Sequence, residues 1–324
     1  MLAIVIFCGC KKAFNLNQPK QDPIAVFEEL WSFMDKHYPM FAFKGVDWDK
    51  IHQQYKSRVK PEMTEAQLFA LLNQMLLNLK DGHVSLMSKT DTATYLGFYK
   101  NYPINFNKAN ITNNYLNNDF KTTGPIIYKK VNNIGYLYYS LFSKNITESD
   151  LDKIFAYFND SKGLIIDVRS NSGGNPQNSD KLFSRLIAQK TLVKYEVIKS
   201  GPNHNEFFEP KPFYLSPNGQ TYNKPIILLT NRLCFSACND FALYVSLLPN
   251  SQIMGNQTGG GAGLPYNYIL ANGFKLQYSG TYTVSPKKES IENGIQPNVN
   301  IDFEQNDEAN GKDIILERAF NALN

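Results

Sequence analysis

The sequence predicts an α/β fold, and the main reason is a set of apolar strands that alternate with helical segments. GLIIDVRS, PIILLT and QIMG are apolar runs of strand length, and they begin at residues 163, 225 and 252. Continuous apolar runs are typical of strands buried on both faces of a parallel sheet. Helical patterns such as ESDLDKIFAYFND and SDKLFSRLIAQ separate the strands. This alternation favours a largely parallel sheet with helices against its faces.

Residues 23–90 are predicted to form a helical N-terminal subdomain. The segment IAVFEELWSFMDKHY repeats apolar residues at helical spacing, and a second helix is predicted to begin near Asp47. A third helix opens at Thr64, with Gln67 three residues later in the arrangement of a capping box. This helix is expected to stop before Gly82, so that the next residue occupies a helix-to-strand corner.

The rest of the chain divides into three further segments. Residues 91–132 are rich in Asn, Thr and Tyr and are interpreted as a connection of β-hairpins or loops. The α/β pattern occupies residues 133–310, with aromatic and Pro-rich turns between 192 and 222. Residues 311–324 are predicted to form a C-terminal helix.

Composition narrows the classes of function. The chain has 324 residues, 43% of them hydrophobic, and a net charge of +4 carried by dispersed basic residues. We therefore expect no nucleic-acid partner. No internal run reaches the roughly 18 apolar residues that a membrane span needs. No Walker-type Gly-Lys-Ser/Thr loop or zinc-ligand spacing occurs in the sequence, so no cofactor or metal is predicted.

The first ten residues, MLAIVIFCGC, resemble the end of a bacterial lipoprotein signal. Cleavage before Cys10 would leave a cysteine that carries lipid, and residues 11–22 would form a polar tether. The positive region expected before the apolar stretch is absent, and Phe7 and Cys8 fit the preceding positions imperfectly. The alternative interpretation is a frayed hydrophobic N-terminus. The lipoprotein interpretation predicts a lipid-anchored protein of the periplasm or cell surface.

Ser236 is the strongest candidate nucleophile. It lies between the apolar strand PIILLT and the apolar helix ACNDFALYVSLL, where the N–H groups of a new helix are unpaired. Acyl transfer requires this combination of a nucleophile and ready oxyanion donors. The alternative is a serine that caps the helix. Cys234 and Cys238 flank Ser236, and buried free thiols are favoured over a disulfide between them.

Two further features accompany the serine. Glycines at 173 and 174 follow a buried strand, and glycine allows backbone to approach a ligand closely. A serine nucleophile also needs a base, and the chain contains only four histidines. Of these, His83 alone occupies a tight corner, although a structural histidine would be the ordinary interpretation of that position by itself.

Together, the ordered motifs resemble the C-terminal processing, or tail-specific, serine peptidases, including their tricorn-core branch. The resemblance covers about residues 25–305. It rests on the pieces DWD, LKDGHVSL, NIGYLYYSLF, LIIDVRSNSGG, LLTNRLCFSACNDFA, GNQTGGG and ENGIQPNVNID, which occur in this order.

The resemblance implies a crotonase-like α/β core and assigns roles to residues. Ser236 would be the nucleophile, and the Ala237 N–H together with an N–H of Gly173 or Gly174 would form the oxyanion hole. One branch of the family uses a lysine base in a loop that here reads TGGGAG and contains no lysine. The other branch uses a histidine, which matches His83.

The resemblance also implies a carboxylate that orients the histidine. Glu292 is the first candidate for this role and Glu289 the second. The sequence departs from the tricorn-type pattern at Gly82, where that branch has a serine, and at Asn298, where an aspartate is usual. The stretch between the DGH corner and NIGYL is shorter than a PDZ domain requires.

These observations predict a serine peptidase that acts on peptide or protein substrates near their C-termini. The alternative is a non-catalytic protein that binds a peptide or an apolar ligand on the same scaffold. The sequence does not indicate an oligomeric state.

Overall fold

The computed structural model describes residues 22–304 and 306–324. Cys10 and most of the predicted tether lie outside these residues. Within them, no helix is both long and apolar enough to cross a membrane.

The helices follow the predicted pattern closely in the first part of the chain. Asp47 caps the second predicted helix, and Thr64 and Gln67 form the predicted capping box. The short helix after the first one was not predicted. The helices are α1 (Pro23–His37), α2 (Phe41–Lys44), α3 (Trp48–Lys56), α4 (Glu65–Leu76), α5 (Lys108–Asn110), α6 (Glu148–Tyr157), α7 (Pro176–Ser184), α8 (Ala237–Ser246) and α9 (Ile314–Leu323).

Helix α7 begins three residues earlier than the apolar pattern indicated. The side chain of Asn175 accepts a hydrogen bond from the Gln177 N–H at 3.0 Å, and Pro176 occupies the first helical position. Proline suits that position because its missing N–H would have no partner there. The helix therefore starts two residues after Gly174.

The strands form three sheets. They are β1 (Ser85–Met87), β2 (Thr92–Thr94), β3 (Lys121–Thr123), β4 (Ile126–Val131), β5 (Ile134–Tyr139), β6 (Leu164–Asp167), β7 (Thr191–Ile198), β8 (Lys211–Leu215), β9 (Ile226–Thr230), β10 (Ser251–Gly255), β11 (Pro265–Ile269), β12 (Lys275–Ser279), β13 (Thr281–Val284) and β14 (Val299–Asn300).

The largest sheet has the order β14-β10-β9-β6-β5-β4-β3. Its first five strands are parallel, as predicted, and the last two add an antiparallel edge. Asp167 pairs with Leu229, and Gly255 with Thr230, so β6, β9 and β10 end side by side. The loops that follow these strands therefore meet at one edge of the sheet.

Two predicted boundaries differ from the structure. The boundary at residue 133 falls inside the β4–β5 hairpin, whose pairing carries the large sheet back to Lys121. The segment from 192 to 222 was interpreted as turns, but it contains most of β7 and all of β8, which pair with each other in a three-stranded sheet with β13. Most side chains of β7 are only half-buried, which explains why the strand has no continuous apolar run.

A four-stranded antiparallel sheet joins the N-terminal helices to the second half of the chain. Its order is β11-β12-β1-β2, and Leu86 of β1 pairs with Leu276 of β12. The apolar faces of α1, α3 and α4 pack on this sheet around Trp48, Leu72 and Phe274. The corner that contains His83 lies between α4 and β1, so this packing decides where the histidine lies.

Candidate active site

Ser236 occupies a strained turn between β9 and α8. Its φ is +56° and its ψ is −123°, a conformation that residues other than glycine rarely adopt. The Ser236 N–H donates a hydrogen bond to the carbonyl of Gly260 at 2.9 Å. The side chain makes no capping hydrogen bond to the helix. Ser236 therefore occupies the N-cap position of α8 through its backbone, but its side chain does not cap the helix, and its hydroxyl is left free and partly exposed.

The residues predicted as oxyanion donors surround this turn. Ala237 is the first residue of α8, and its N–H has no hydrogen-bond partner within the described part of the chain. Gly173 packs against the turn, because a Cβ there would lie 2.9 Å from the Ser236 Cβ and 3.0 Å from the Ala237 N. A side chain at this position would fill the space directly beside the hydroxyl.

The two glycines differ in what their backbones do. The Gly173 N–H donates to the Asn171 side chain at 3.0 Å, so it would have to share or leave this bond to hold an oxyanion. Gly174 packs against the backbone of Phe142 and Ser143. The free Ala237 N–H is thus the donor that the structure offers directly.

His83 lies next to the serine turn, at the corner between α4 and β1. Its ring centre is 4.7 Å from the ring centre of Phe235, the residue before Ser236. The side chain is buried and its Nδ1 has no hydrogen-bond partner in the described residues. No hydrogen bond joins His83 to Ser236 in this part of the chain. Burial lowers the pKa of His83, while the nearby carboxylates of Asp81 and Asp240 act in the opposite direction.

Asp81 holds the corner in place, and sequence reasoning did not assign it a role. Its Oδ1 accepts the His83 N–H at 2.8 Å. Its Oδ2 accepts the hydroxyls of Tyr38 and Ser279, each at 2.9 Å. One buried carboxylate therefore ties the His83 backbone to α1 and β12. The adjacent Asp81-Gly82-His83 triplet was a signal for this role, because an aspartate often bonds an N–H two residues later.

Glu292, the first candidate to orient the His83 ring, makes no hydrogen bond to that ring among the described residues. Glu292 is buried, but its Oε1 accepts a hydrogen bond from Lys44 Nζ at 2.7 Å and its Oε2 accepts the Ala262 N–H at 2.7 Å. Both oxygens are thus occupied by groups other than the imidazole. Burial raises the pKa of Glu292 to about 7, with Asp81 adding to the rise and Lys44 opposing it. The second candidate, Glu289, has an exposed side chain.

The packing at Gly82 explains the departure from a serine at this position. A Cβ there would lie 2.8 Å from Phe235 Cζ and 2.8 Å from Phe98 Cε1. The rings of Phe98 and Phe235 stack with their centres 4.3 Å apart. Glycine is therefore the residue that allows this aromatic pair to cover the corner.

The two cysteines beside Ser236 and two further histidines make contacts typical of structural residues. Cys234 and Cys238 are buried free thiols, as favoured from the sequence. His52 bonds Glu28 at 2.8 Å. The ring of His204 packs near Phe41, and its Nε2 bonds a carboxylate of α1. Of the four histidines, His83 is the one whose ring packs on Phe235, the residue before Ser236, in the described part of the chain.

Comparison with known proteins identifies the family of this chain. The sequence model of peptidase family S41 matches residues 133–301, more than half of the chain. The chain belongs to peptidase family S41. This membership assigns it to the serine-type peptidases. A second family, the tricorn protease C1 domain, matches residues 19–77 of this S41 peptidase. The S41 match contains Gly173, Gly174 and Ser236, whereas His83 lies between the two matched segments.

Three relatives show how far the likeness extends. A candidate peptidase from Parabacteroides merdae has 42% identity, a TM-score of 0.89, and coverage of 93% of this chain and 96% of its own. The photosystem II D1 C-terminal processing protease shares the fold, with 16% identity, a TM-score of 0.58, and coverage of 86% and 93%. A candidate tricorn-like protease C-terminal subunit from Sulfurisphaera tokodaii is 30% identical over 169 residues. That match covers 49% of this S41 peptidase and 17% of the length of the relative.

Proposed function

We propose that this S41 peptidase hydrolyses peptide bonds with Ser236 as nucleophile and His83 as general base. The supporting observation is the Ser236 turn itself. Its backbone is strained, its hydroxyl does not cap α8, and the N–H of Ala237 beside it has no partner. Strain of this kind is maintained at sites where it serves a function, because the surrounding packing must compensate for it.

The chemistry follows from these positions. The Ser236 Oγ attacks the carbonyl carbon of the scissile bond, and His83 takes the hydroxyl proton. The negative charge that develops on the carbonyl oxygen is stabilised by the Ala237 N–H at the start of α8. His83 then gives the proton to the leaving amine, and water repeats the sequence on the acyl-enzyme. A neutral imidazole is needed for the first step, and burial of His83 favours that form.

We propose the type of core, the N-terminal subdomain and the substrate on the same basis. The core is crotonase-like, with α1 to α4 as a helical N-terminal subdomain. The substrate is a polypeptide cleaved near its C-terminus. Support for the substrate comes from the family and from the name of the D1 C-terminal processing protease, whose fold this chain shares.

A fluorophosphonate probe tests the nucleophile and separates a peptidase from a binding protein on the same scaffold. We expect the probe to modify Ser236, identified by mass spectrometry of the labelled peptide. Ser236→Ala should abolish labelling and lower kcat/KM by about 10⁴-fold or more with little change in Tm. Ser246→Ala, at the other end of α8, is the matched control and should label normally. A protein that remains unlabelled, or a Ser236→Ala variant that retains turnover, would contradict the proposal.

We also propose that the protein is anchored by lipid at Cys10 in the periplasm or at the cell surface of a bacterium. Support comes only from the sequence MLAIVIFCGC, which lies outside the described residues. Metabolic labelling with a palmitate analogue should mark the protein, and Cys10→Ser should remove the label. Cys8→Ser is the control and should retain it. An unlabelled wild-type protein would refute the anchor.

A further inference from the structure

A cavity of about 280 Å³ opens beside the serine turn and is not used by the proposed mechanism. Gly82 and Phe235 line it, and these residues immediately precede His83 and Ser236 in the chain. A group bound in the cavity would therefore lie within reach of a peptide held at the nucleophile. Phe98 forms an apolar wall with Phe235.

The charged residues of this cavity are mainly cationic. Lys44, Lys80 and Arg232 line it, with Glu292 as the carboxylate among the lining residues. Glu292 is engaged by Lys44 and by the Ala262 N–H, so its charge is already compensated. The cavity therefore carries a formal excess of positive charge, contributed by Lys80 at its rim and by Arg232.

Arg232 is the more informative of these two cations. It is only 9% exposed, yet no carboxylate pairs with it among residues 22–304 and 306–324. Its Nε donates to the Phe98 carbonyl at 2.8 Å and one terminal nitrogen donates to the Thr258 carbonyl at 2.8 Å. The ring of Tyr102 lies 4.3 Å from the guanidinium carbon. These contacts fix the guanidinium without neutralising it, and the second terminal nitrogen makes no hydrogen bond in this part of the chain.

A buried, oriented and uncompensated guanidinium is suited to an anion. Arginine pairs with a carboxylate through parallel N–H donors, and such bonds are stronger when water is excluded. We propose that this cavity is a carboxylate subsite for the peptide substrate and that Arg232 determines its selectivity. The inference rests on the proposed function, since the ligand is a peptide whose scissile bond lies at Ser236. The carboxylate is either an acidic side chain or the free end of the peptide.

Binding to the Ser236→Ala protein tests this subsite without requiring turnover. Three pools of fluorescein-labelled hexapeptides with otherwise apolar residues serve as probes. The first pool has a free C-terminal carboxylate, the second is amidated and contains one Glu, and the third is amidated with Gln in place of Glu. We expect at least one acidic pool to bind about tenfold more tightly than the Gln pool. Comparison of the first two pools identifies the source of the carboxylate.

Variants in the same Ser236→Ala background assign the effect to Arg232. Arg232→Gln should reduce the affinity for the acidic pool to that for the Gln pool, whereas Arg232→Lys should retain part of the preference and its salt dependence. Lys80→Gln, at an exposed position, should weaken the binding of the acidic pool alone, by about twofold to threefold. It becomes the decisive variant if the Arg232→Gln protein unfolds. Lys100→Gln is the matched control because it removes one exposed positive charge from a residue that does not line the cavity.

Equal affinity for all three pools would overturn the carboxylate subsite. If Arg232→Gln folds and keeps the preference for acidic peptides, the assignment to Arg232 is overturned. If Arg232→Gln is unfolded, an undiminished preference in Lys80→Gln overturns the assignment of residues. Loss of fluorophosphonate labelling at Ser236 in the wild-type protein would instead contradict the proposed function and leave the binding result intact.

Discussion

Glu292 binds Lys44 with an Oε1–Nζ distance of 2.7 Å, and the pair lies between α2 and the loop before β14. Both side chains are almost completely buried, at 3% and 9% exposure. A buried ion pair contributes little net stability, but removal of one partner leaves an uncompensated charge. The pair therefore fixes α2 against the loop that flanks the serine turn.

Lys44→Met should destabilise the protein by about 3–5 kcal/mol at pH 8, because it leaves the Glu292 carboxylate buried without a cation. The cost should shrink at pH 5. Loss of Lys44 raises the pKa of Glu292 further above its value of about 7, so the carboxyl group is neutral at the lower pH. Urea unfolding at the two pH values measures the difference. The double variant Lys44→Met/Glu292→Gln should recover much of the loss, and strictly additive costs would show that the two residues are not coupled.

The pH dependence of kcat/KM should have an acidic limb below pH 6.5. The base must be neutral, so activity falls as pH decreases through the pKa of His83, and burial lowers that pKa below its ordinary value of 6.5. His83→Ala should remove this limb together with most of the activity. His52→Gln, which alters a histidine bonded to Glu28, is the control and should leave the limb in place. Near-normal rates in His83→Ala would assign the base elsewhere.

Asp81→Asn should move the acidic limb to lower pH. Asp81 is the strongest carboxylate influence that raises the pKa of His83, so loss of its charge lowers that pKa and extends activity into acid. The asparagine can still accept the His83 N–H, so the corner should stay folded. Asp35→Asn, whose carboxylate bonds His204 instead, should leave the profile unchanged. A shift of the limb toward higher pH would show that the charge of Asp81 does not act on the imidazole.

Gly82→Ser should lower both stability and activity. The added Cβ would lie 2.8 Å from Phe235 and Phe98, and overpacking of this kind costs about 1–3 kcal/mol. The displaced Phe235 ring precedes Ser236, so kcat/KM should fall as well. Phe98→Ala in the same protein makes room and should restore part of the Tm and of the rate. A Gly82→Ser protein with wild-type stability would show that the aromatic pair adjusts freely.

Asp180→Asn should stabilise the protein at pH 8 and have a smaller effect at pH 5. Burial raises the pKa of Asp180 to about 7, with Lys194 opposing and Asp240 adding to the rise. The pKa of Asp180 is higher in the folded than in the unfolded protein, so the neutral carboxyl group contributes fully to stability below about pH 4. This contribution is lost as the pH rises toward 7, because the buried carboxyl group must then ionise. Differential scanning calorimetry at both pH values measures the change in Tm. Asp160→Asn, at an exposed carboxylate, should produce no such difference.

Much of the local structure could be predicted from the sequence. The capping box at Thr64 and the apolar strands of the parallel sheet depend on residues that are close in the chain, so their patterns are visible without a structure. The same holds for Ser236, because a strand, a turn and a helix that follow one another place it at the sheet edge. The sequence analysis missed β7, because most of its side chains are only half-buried and it has no continuous apolar run.

Contacts between distant segments were decided only by the tertiary structure. Lys44 and Glu292 are 248 residues apart, and the hydroxyls on Asp81 come from α1 and β12. Each carboxylate takes whichever donors the packing of the two halves brings to it, since desolvation makes an unpaired buried charge costly. The sequence by itself determined that Ser236 lies at a strand-to-helix turn and His83 at a helix-to-strand corner, because local motifs specify both positions. The partner of each buried charge depended on how the four-stranded sheet joins the N-terminal helices to the rest of the chain.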